Sequence, residues 1–346
     1  MALLYADSFG QYEITTHVEA ASELIGAFWS VQEGNWAVEA LETGRNTIRL
    51  AAGGSNPSYL SGAIPDNPTT IVVGFRFNYA SSYGAAGQNI MNFKTSGDFM
   101  GGIYFDGITG KMSYVAYGSY ASFYTRLASN GATGLGETDY WEFKIIFGNS
   151  TAGSIYIYKN GVLDSSVTGI DTIYEGSVLN TLQLATPAAV DGGQFLFSDF
   201  YVDTANQHGD MKVTYEPCDS SGAASDWTPL ASTNQSQIDE YEPDDETTYN
   251  RSTVATDKDS LTPSPTIQMG DVKGIVAVAR VRKEDANDSA IKLGVLHSGT
   301  EEQSGDLPVT TSYQYIHYVQ EDVPGGSGWS EAQSDVAEIS IEHVAI

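Results

Sequence analysis

The sequence predicts an all-β protein built from two sandwich-like domains, and three observations carry that reading. Apolar residues alternate with polar ones over short runs, and Gly, Asn and Asp punctuate those runs. No segment carries the periodicity of a convincing amphipathic helix. VEAASELIGAF, at residues 18–28, comes nearest and leaves room for a turn or two. In IVVGFRFNYA, Ile71, Val73, Phe75, Phe77 and Tyr79 fall on one strand face. In YWEFKIIF, Trp141, Phe143, Ile145 and Phe147 do the same, while Glu142 and Lys144 face away. SIYIYK then meets Asn160-Gly161, the pair favoured by a type I′ hairpin turn because both central positions need positive φ. GGIYFDGITGKMSYVAY reads as a second hairpin turning near Asp106-Gly107, and QFLFSDFYVD closes the first half.

At 346 residues the chain exceeds one ordinary sandwich of about 100 residues. Residues 1–207 are expected to form the first domain. Residues 208–250 follow as an acidic, loop-rich junction with no basic residue between Lys212 and Arg251, pinned by Trp227 and Tyr241 to a neighbouring surface. Residues 251–346 form a second, smaller sandwich, jelly-roll-like, on the strands IVAVARVRK, AIKLGVLHSG, YQYIHYVQ and AEISIEHVA. Ile275, Ala277, Ala279 and Val281 share one face there, as do Ile339, Ile341 and His343.

Charge excludes whole classes of partner. Residues 1–207 hold 8 basic and 19 acidic side chains, and residues 208–346 hold 8 and 25, for a formal net charge of −28. Phosphate binding needs Lys and Arg to displace counterions, so neither nucleic acid nor an anionic membrane is an expected partner. No stretch approaches the ~18 apolar residues of a membrane span. The opening MALLYADSFG lacks a basic n-region and carries Asp7, so no signal peptide is expected and synthesis is placed in the cytoplasm. The single cysteine, Cys218, excludes an intrachain disulfide and Cys-cluster metal sites.

Two stretches resemble known groups. Trp141-Glu-Phe-Lys-Ile-Ile-Phe, a Gly/Ser turn, Ser154-Ile-Tyr-Ile-Tyr-Lys-Asn-Gly161-Val-Leu and the later QFLFSDFYVD resemble the concanavalin A-like (laminin-G-like) lectin/glucanase sandwich. The opening Leu4-Tyr-Ala-Asp-Ser-Phe9 fits as an edge strand returning to meet the last one. From residue 198 the order SDFYVD, GDMKVTYEP, SDWTP, EYEPDDETTYN, DKDSLTP, RKEDANDSAIKL and SYQYIHYVQEDVPGGSGWS resembles a group of phage virion proteins, in which a concanavalin A-like domain precedes a C-terminal β domain. The resemblance implies a structural role in a virion, as a head decoration or fibre protein or a tail component. Its partners would be major capsid or tail proteins and sister copies in a homo-oligomer.

No catalytic residues, metal ligands or cofactors are expected. Retaining glucanases need two carboxylates about 5–5.5 Å apart, and no strand offers that spacing; Glu142 stands alone on its strand, and Glu338 with Glu342 read as solvated. The acidic run Asp239, Glu240, Glu242, Asp244, Asp245 and Glu246 could offer oxygens to Ca²⁺, but Pro243 interrupts it and charge runs in loops are usually solvated. His297, His317 and His343 could approach one another across C-terminal strands, although strand histidines with ordinary partners are commoner than metal triads. The Tyr/Ser/Gly segments have the composition of adaptable binding surfaces. Trp36, Tyr83, Tyr117, Tyr120 and Tyr124 are the expected contact residues, to protein or to host surface glycan. The alternative to a virion structural role is a carbohydrate-binding tail adhesin.

Overall fold

A computed structural model describes residues 3–9, 29–33, 35–42, 45–51, 58–79, 87–95, 98–117, 123–173, 178–186, 194–240, 243–265 and 270–345, with the backbone alone described in parts of some strands. The chain forms two compact units, and the boundary between them falls at Val213–Thr214. Both are built from antiparallel strands.

The first unit contains β1 (Leu3–Asp7), β2 (Trp29–Glu33), β3 (Asn35–Glu42), β4 (Arg45–Ala51), β5 (Ser58–Ala63), β6 (Thr70–Tyr79), β7 (Gln88–Lys94) and β8 (Phe99–Asp106). It continues with β9 (Lys111–Tyr117), β10 (Phe123–Ala128), β11 (Thr138–Ile146), β12 (Gly153–Lys159), β13 (Val162–Ile170), β14 (Thr181–Thr186) and β15 (Gln194–Asp203). One sheet runs β13-β12-β11-β6-β15-β4-β3, with β1 also beside β15; the other runs β10-β9-β8-β7-β14-β5-β2. The pairing of β1 with β15 is the return of the opening strand to the last one.

The alternation seen in the sequence sets the core. Ile71, Val73, Phe75, Phe77 and Tyr79 are buried, as are Trp141, Phe143 and Ile145 of the neighbouring strand. Phe77 meets Phe105 of the facing sheet with ring centroids 4.9 Å apart, and Tyr79 meets the same ring at 4.7 Å. Trp29 packs on Phe200 and, edge-on, on Tyr5, which anchors the opening strand. Asn160 (φ 50°) and Gly161 (φ 76°) make the type I′ turn. At the other hairpin the Asp106 carboxylate accepts the amides of Ile108 and Thr109. Residues 18–28 lie outside the described residues.

The second unit holds β16 (Cys218–Ser225), β17 (Thr228–Pro229), β18 (Asn250–Arg251), β19 (Lys258–Pro263), β20 (Ile275–Val281), β21 (Ser289–His297), β22 (Thr300–Gln303), β23 (Leu307–Pro308), β24 (Gln314–Gln320) and β25 (Glu338–Ala345). A sheet ordered β16-β19-β25-β21-β22 packs against the β20–β24 pair. Ala277, Ala279, Val281 and Ile316 from the pair meet Ile291, Leu293, Ile339 and Ile341 from the sheet.

The stretch 214–250 belongs to this second unit. Cys218–Ser225 is a strand of the larger sheet, paired with β19. Trp227 packs on the core, its Nε1 donates to the Asp257 carbonyl at 3.1 Å, and its amide donates to Asp259 at 3.0 Å. Asp259 is buried and also accepts Asn234 Nδ2 at 2.6 Å and Asn250 Nδ2 at 3.4 Å, so one carboxylate gathers both ends of a long irregular segment. Tyr241 lies outside the described residues.

Removing that carboxylate leaves the Trp227 amide without its acceptor and Asn234 Nδ2 with the Trp227 carbonyl alone. Asp259→Ala should cost about 2–3 kcal/mol in urea unfolding and should open residues 228–250 to limited proteolysis. Wild-type resistance in the variant would show that Asp259 does not hold the segment.

Candidate functional site

The richest gathering of ionisable groups among the described residues lies on the face of the β6–β11–β15 sheet that points away from the sandwich core. Strand alternation that sends Trp141 and Phe143 inward sends Tyr140, Glu142 and Lys144 outward, and cross-strand register sets Glu142 opposite Gly74. Gly74 also pairs with Tyr201 on its other side. A Cβ at Gly74 would overlap the Tyr201 ring and the Tyr140 hydroxyl, so glycine is what lets two tyrosines close over the strand. Asp199 sits where the register of β15 slips, with φ 47°, and the irregularity turns its carboxylate toward Arg76.

Glu142 is nonetheless buried, because the chain leaving β15 runs back over this face as a strap, residues 204–213. Glu142 Oε1 accepts the Tyr201 hydroxyl and the amides of His208 and Gly209, both at 3.0 Å. Asp203 accepts the amides of Ala205 (2.6 Å) and Asn206 (2.8 Å) and pairs with His208 Nε2 at 2.7 Å. Arg76 bridges Asp199 (2.6 Å) and Asp210 (2.7 Å), and Asp199 also accepts the Val213 amide at 3.0 Å. Lys144 donates to the Ala205 carbonyl. The His208 ring stands edge-on to Tyr201, centroids 5.1 Å apart.

Burial raises the Glu142 carboxyl above its ordinary value, although Tyr201 and the two amides pull the other way. Burial also raises the hydroxyls of Tyr140 and Tyr201, so both remain protonated donors. Carboxylate, histidine, tyrosine and arginine are chemistry-bearing types; here Glu142 Oε1, Asp203, His208, Tyr201 and Arg76 are engaged by internal partners, while Glu142 Oε2 and the Tyr140 hydroxyl are buried with no hydrogen-bond partner. The arrangement holds a strap in place. Glu142 is closed off from solvent beneath the strap.

Glu142 was expected to face away from the core and does; its burial under the strap could not be foreseen, because residues 142 and 208 are joined only by tertiary structure. Glu338 and Glu342, expected to be solvated, are engaged: Glu338 accepts Ser260 Oγ and the Ala223 amide, and Glu342 accepts Gln303. The acidic run spends its charges on protein partners. Asp245 pairs with Arg280 Nε (2.5 Å), Glu246 pairs with Arg282, and Asp244 accepts Thr248; Glu242 lies outside the described residues. His297 stacks edge-on with Trp329, His343 bonds Ser252 and Ser289, and burial pulls His317 down to about 4. Among the described residues no three His, Cys, Asp or Glu side chains are grouped to hold a metal ion. Burial pushes the Cys218 thiol up to about 12, which makes it a poor nucleophile.

Of the expected contact residues, Tyr83 and Tyr120 lie outside the described residues. Trp36 stands on β3, Tyr117 on β9 and Tyr124 on β10, where the backbone alone is described. Register pairs Tyr117 with Phe123, and Tyr124 with Ala116. Tyr114, in the same segment, is a core residue whose hydroxyl donates to the Thr172 carbonyl at 2.8 Å.

No family model and no curated protein matches the chain. Among solved structures it is similar to an endo-β-1,4-glucuronan lyase from the fungus Trichoderma reesei, at 13% identity over 51% of this chain and 91% of that one, with TM-score 0.42. Alginate lyase vAL-1 from Chlorella virus matches at 12% over 51% and 93%, TM-score 0.40. A botulinum neurotoxin type C structure, described for interaction with two ganglioside molecules, matches at 10% over 100% and 98%, TM-score 0.44. Likenesses this distant carry no argument about activity; the all-β architecture rests on the sheets themselves. No helix among the described residues is long and apolar enough to cross a membrane.

The strap makes a signed prediction. Because folding raises the Glu142 pKa, the carboxyl's contribution is most favourable below the ordinary value of 4.5 and is lost as pH climbs through the folded value. Glu142→Gln keeps an oxygen acceptor and cannot ionise, so its stability should gain on wild type as pH rises from about 4.5 to 7. Glu142→Ala strands three donors and should cost about 2–4 kcal/mol at any pH. Parallel stability–pH curves for wild type and Glu142→Gln would contradict this.

Proposed function

We propose that this chain is a non-catalytic structural protein of a bacteriophage virion, a head decoration or fibre protein or another surface component that binds other virion proteins. The observation that carries the reading is the ordered series of segments from Ser198-Asp-Phe-Tyr-Val-Asp to the PGGSGWS turn, which resembles virion proteins of that type. The non-catalytic reading is supported by the burial of Glu142 under residues 204–213, where its Oε1 accepts the His208 and Gly209 amides. A net charge of −28 suits a soluble component displayed in many copies and opposes adhesion to nucleic acid.

The test is to purify particles of the phage encoding this chain, label them with antibody against it, and view them by electron microscopy, alongside an assay of the isolated protein on host polysaccharides. Regular labelling of the particle surface and no release of new reducing or unsaturated ends are expected. Absence from purified particles, or polysaccharide cleavage by the isolated protein, would overturn the reading. Labelling confined to the tail tip with saturable binding to host glycan would favour the adhesin instead.

A further inference from the structure

Residues 204–213 carry the chain from the end of β15 to Thr214, where the second unit begins. No residue of this strap is fully buried, yet Glu142 beneath it is 0% exposed. Hydrogen bonds and ion pairs hold the strap down. Asp203 takes the Ala205 and Asn206 amides and the His208 ring, and Glu142 takes the His208 and Gly209 amides. Asp199 takes the Val213 amide, and Arg76 holds Asp210. A segment seated in this way is only as firm as the protonation states of its anchors allow.

Glu142 is the anchor at which seating and ionisation conflict. Its Oε1 meets the Tyr201 hydroxyl and two amides, while its Oε2 is buried with no hydrogen-bond partner. Among the described residues no cation pairs with it: Arg76 is turned to Asp199 and Asp210, Lys144 to the Ala205 carbonyl, and the His208 ring to Asp203. The other groups facing it are the Tyr140 hydroxyl of its own strand, Tyr158 of β12 and Gln207 of the strap, and Asp199 and Asp210 add negative charge beside Tyr140. A carboxylate here is dehydrated at one oxygen and unmatched by positive charge. With the strap open, both oxygens would reach water.

We propose that residues 204–213 are a proton-linked latch, whose opening with both units intact becomes easier as Glu142 gives up its proton. Burial makes the carboxyl hold its proton more tightly under the seated strap than under the open one. The seated state is therefore favoured most below the ordinary value of 4.5, and that advantage is lost as pH rises through the folded value. One proton changes the opening constant by at most about tenfold per pH unit. The inference does not rest on the virion reading.

Native-state hydrogen exchange of the full chain from about pH 5 to about pH 8, each rate divided by its intrinsic value, tests it. At about pH 5 the His208 and Gly209 amides should be protected nearly as well as those of β6 and β11. By about pH 8 they should fall behind those strands by about three- to tenfold. Glu142→Gln keeps an acceptor and cannot ionise, so it should remove this pH response. Trypsin at about pH 8 should also cut after Lys212 about three- to tenfold more slowly in that variant than in wild type. Tyr201→Phe removes a donor that favours the carboxylate and should move the response to higher pH. Strap amides that track β6 and β11 at every pH, a response that persists in Glu142→Gln, or one that Tyr201→Phe leaves in place would overturn the proposal.

Discussion

The structure depends on carboxylates that accept backbone amides. With 44 acidic and 16 basic side chains, ion pairs cannot neutralise more than a minority of the acids. A sandwich joined by long irregular segments also carries many amides with no ladder partner, and a buried amide must find an acceptor. The two demands meet one another. Asp106, Asp164, Glu142, Asp203, Asp199 and Asp259 each take one or more amides of a turn, strap or loop. Where the carboxylate stays exposed enough to remain favourably charged, a hydrogen bond to it is worth about 1.5–3 kcal/mol, roughly twice a neutral one; at Glu142 and Asp259 burial opposes the charge. Irregular segments are thereby fastened to sheets that supply most of the hydrophobic core.

This use of acidity bears on how the surface works. A fraction of the negative charge is turned toward the protein's own backbone rather than outward. The remainder faces water and keeps copies apart. The Glu142 cluster belongs to the same scheme: burial of ionisable groups, so often a mark of catalysis, here secures residues 204–213.

Where the fold was legible in the sequence, a local rule decided it. Period-two alternation identified the buried face of β6 and of β11, and Asn160-Gly161 specified its turn because both positions require positive φ. Cys218–Ser225 escaped notice because DSSGAAS has neither alternation nor β-branched residues; its strand exists through pairing with β19, some forty positions away. The partners of Glu142 and Asp259 escaped for the same reason, since a carboxylate's acceptor role is fixed by which amide tertiary structure brings to it. Glu338 reads as solvated in the sequence; it is half-buried, and it also accepts Ser260 Oγ of the neighbouring β19 and the Ala223 amide of β16 beyond it.

Native-state hydrogen exchange, read amide by amide, tests the central claim most directly. If carboxylates fasten the irregular segments, the amides of Asn130, Gly131, His208, Gly209, Val213 and Trp227 should exchange nearly as slowly as those of the adjoining strands, through openings close to global unfolding in free energy. Exchange of these amides at the rates of unstructured peptide, while β6 and β11 stay protected, would contradict the account.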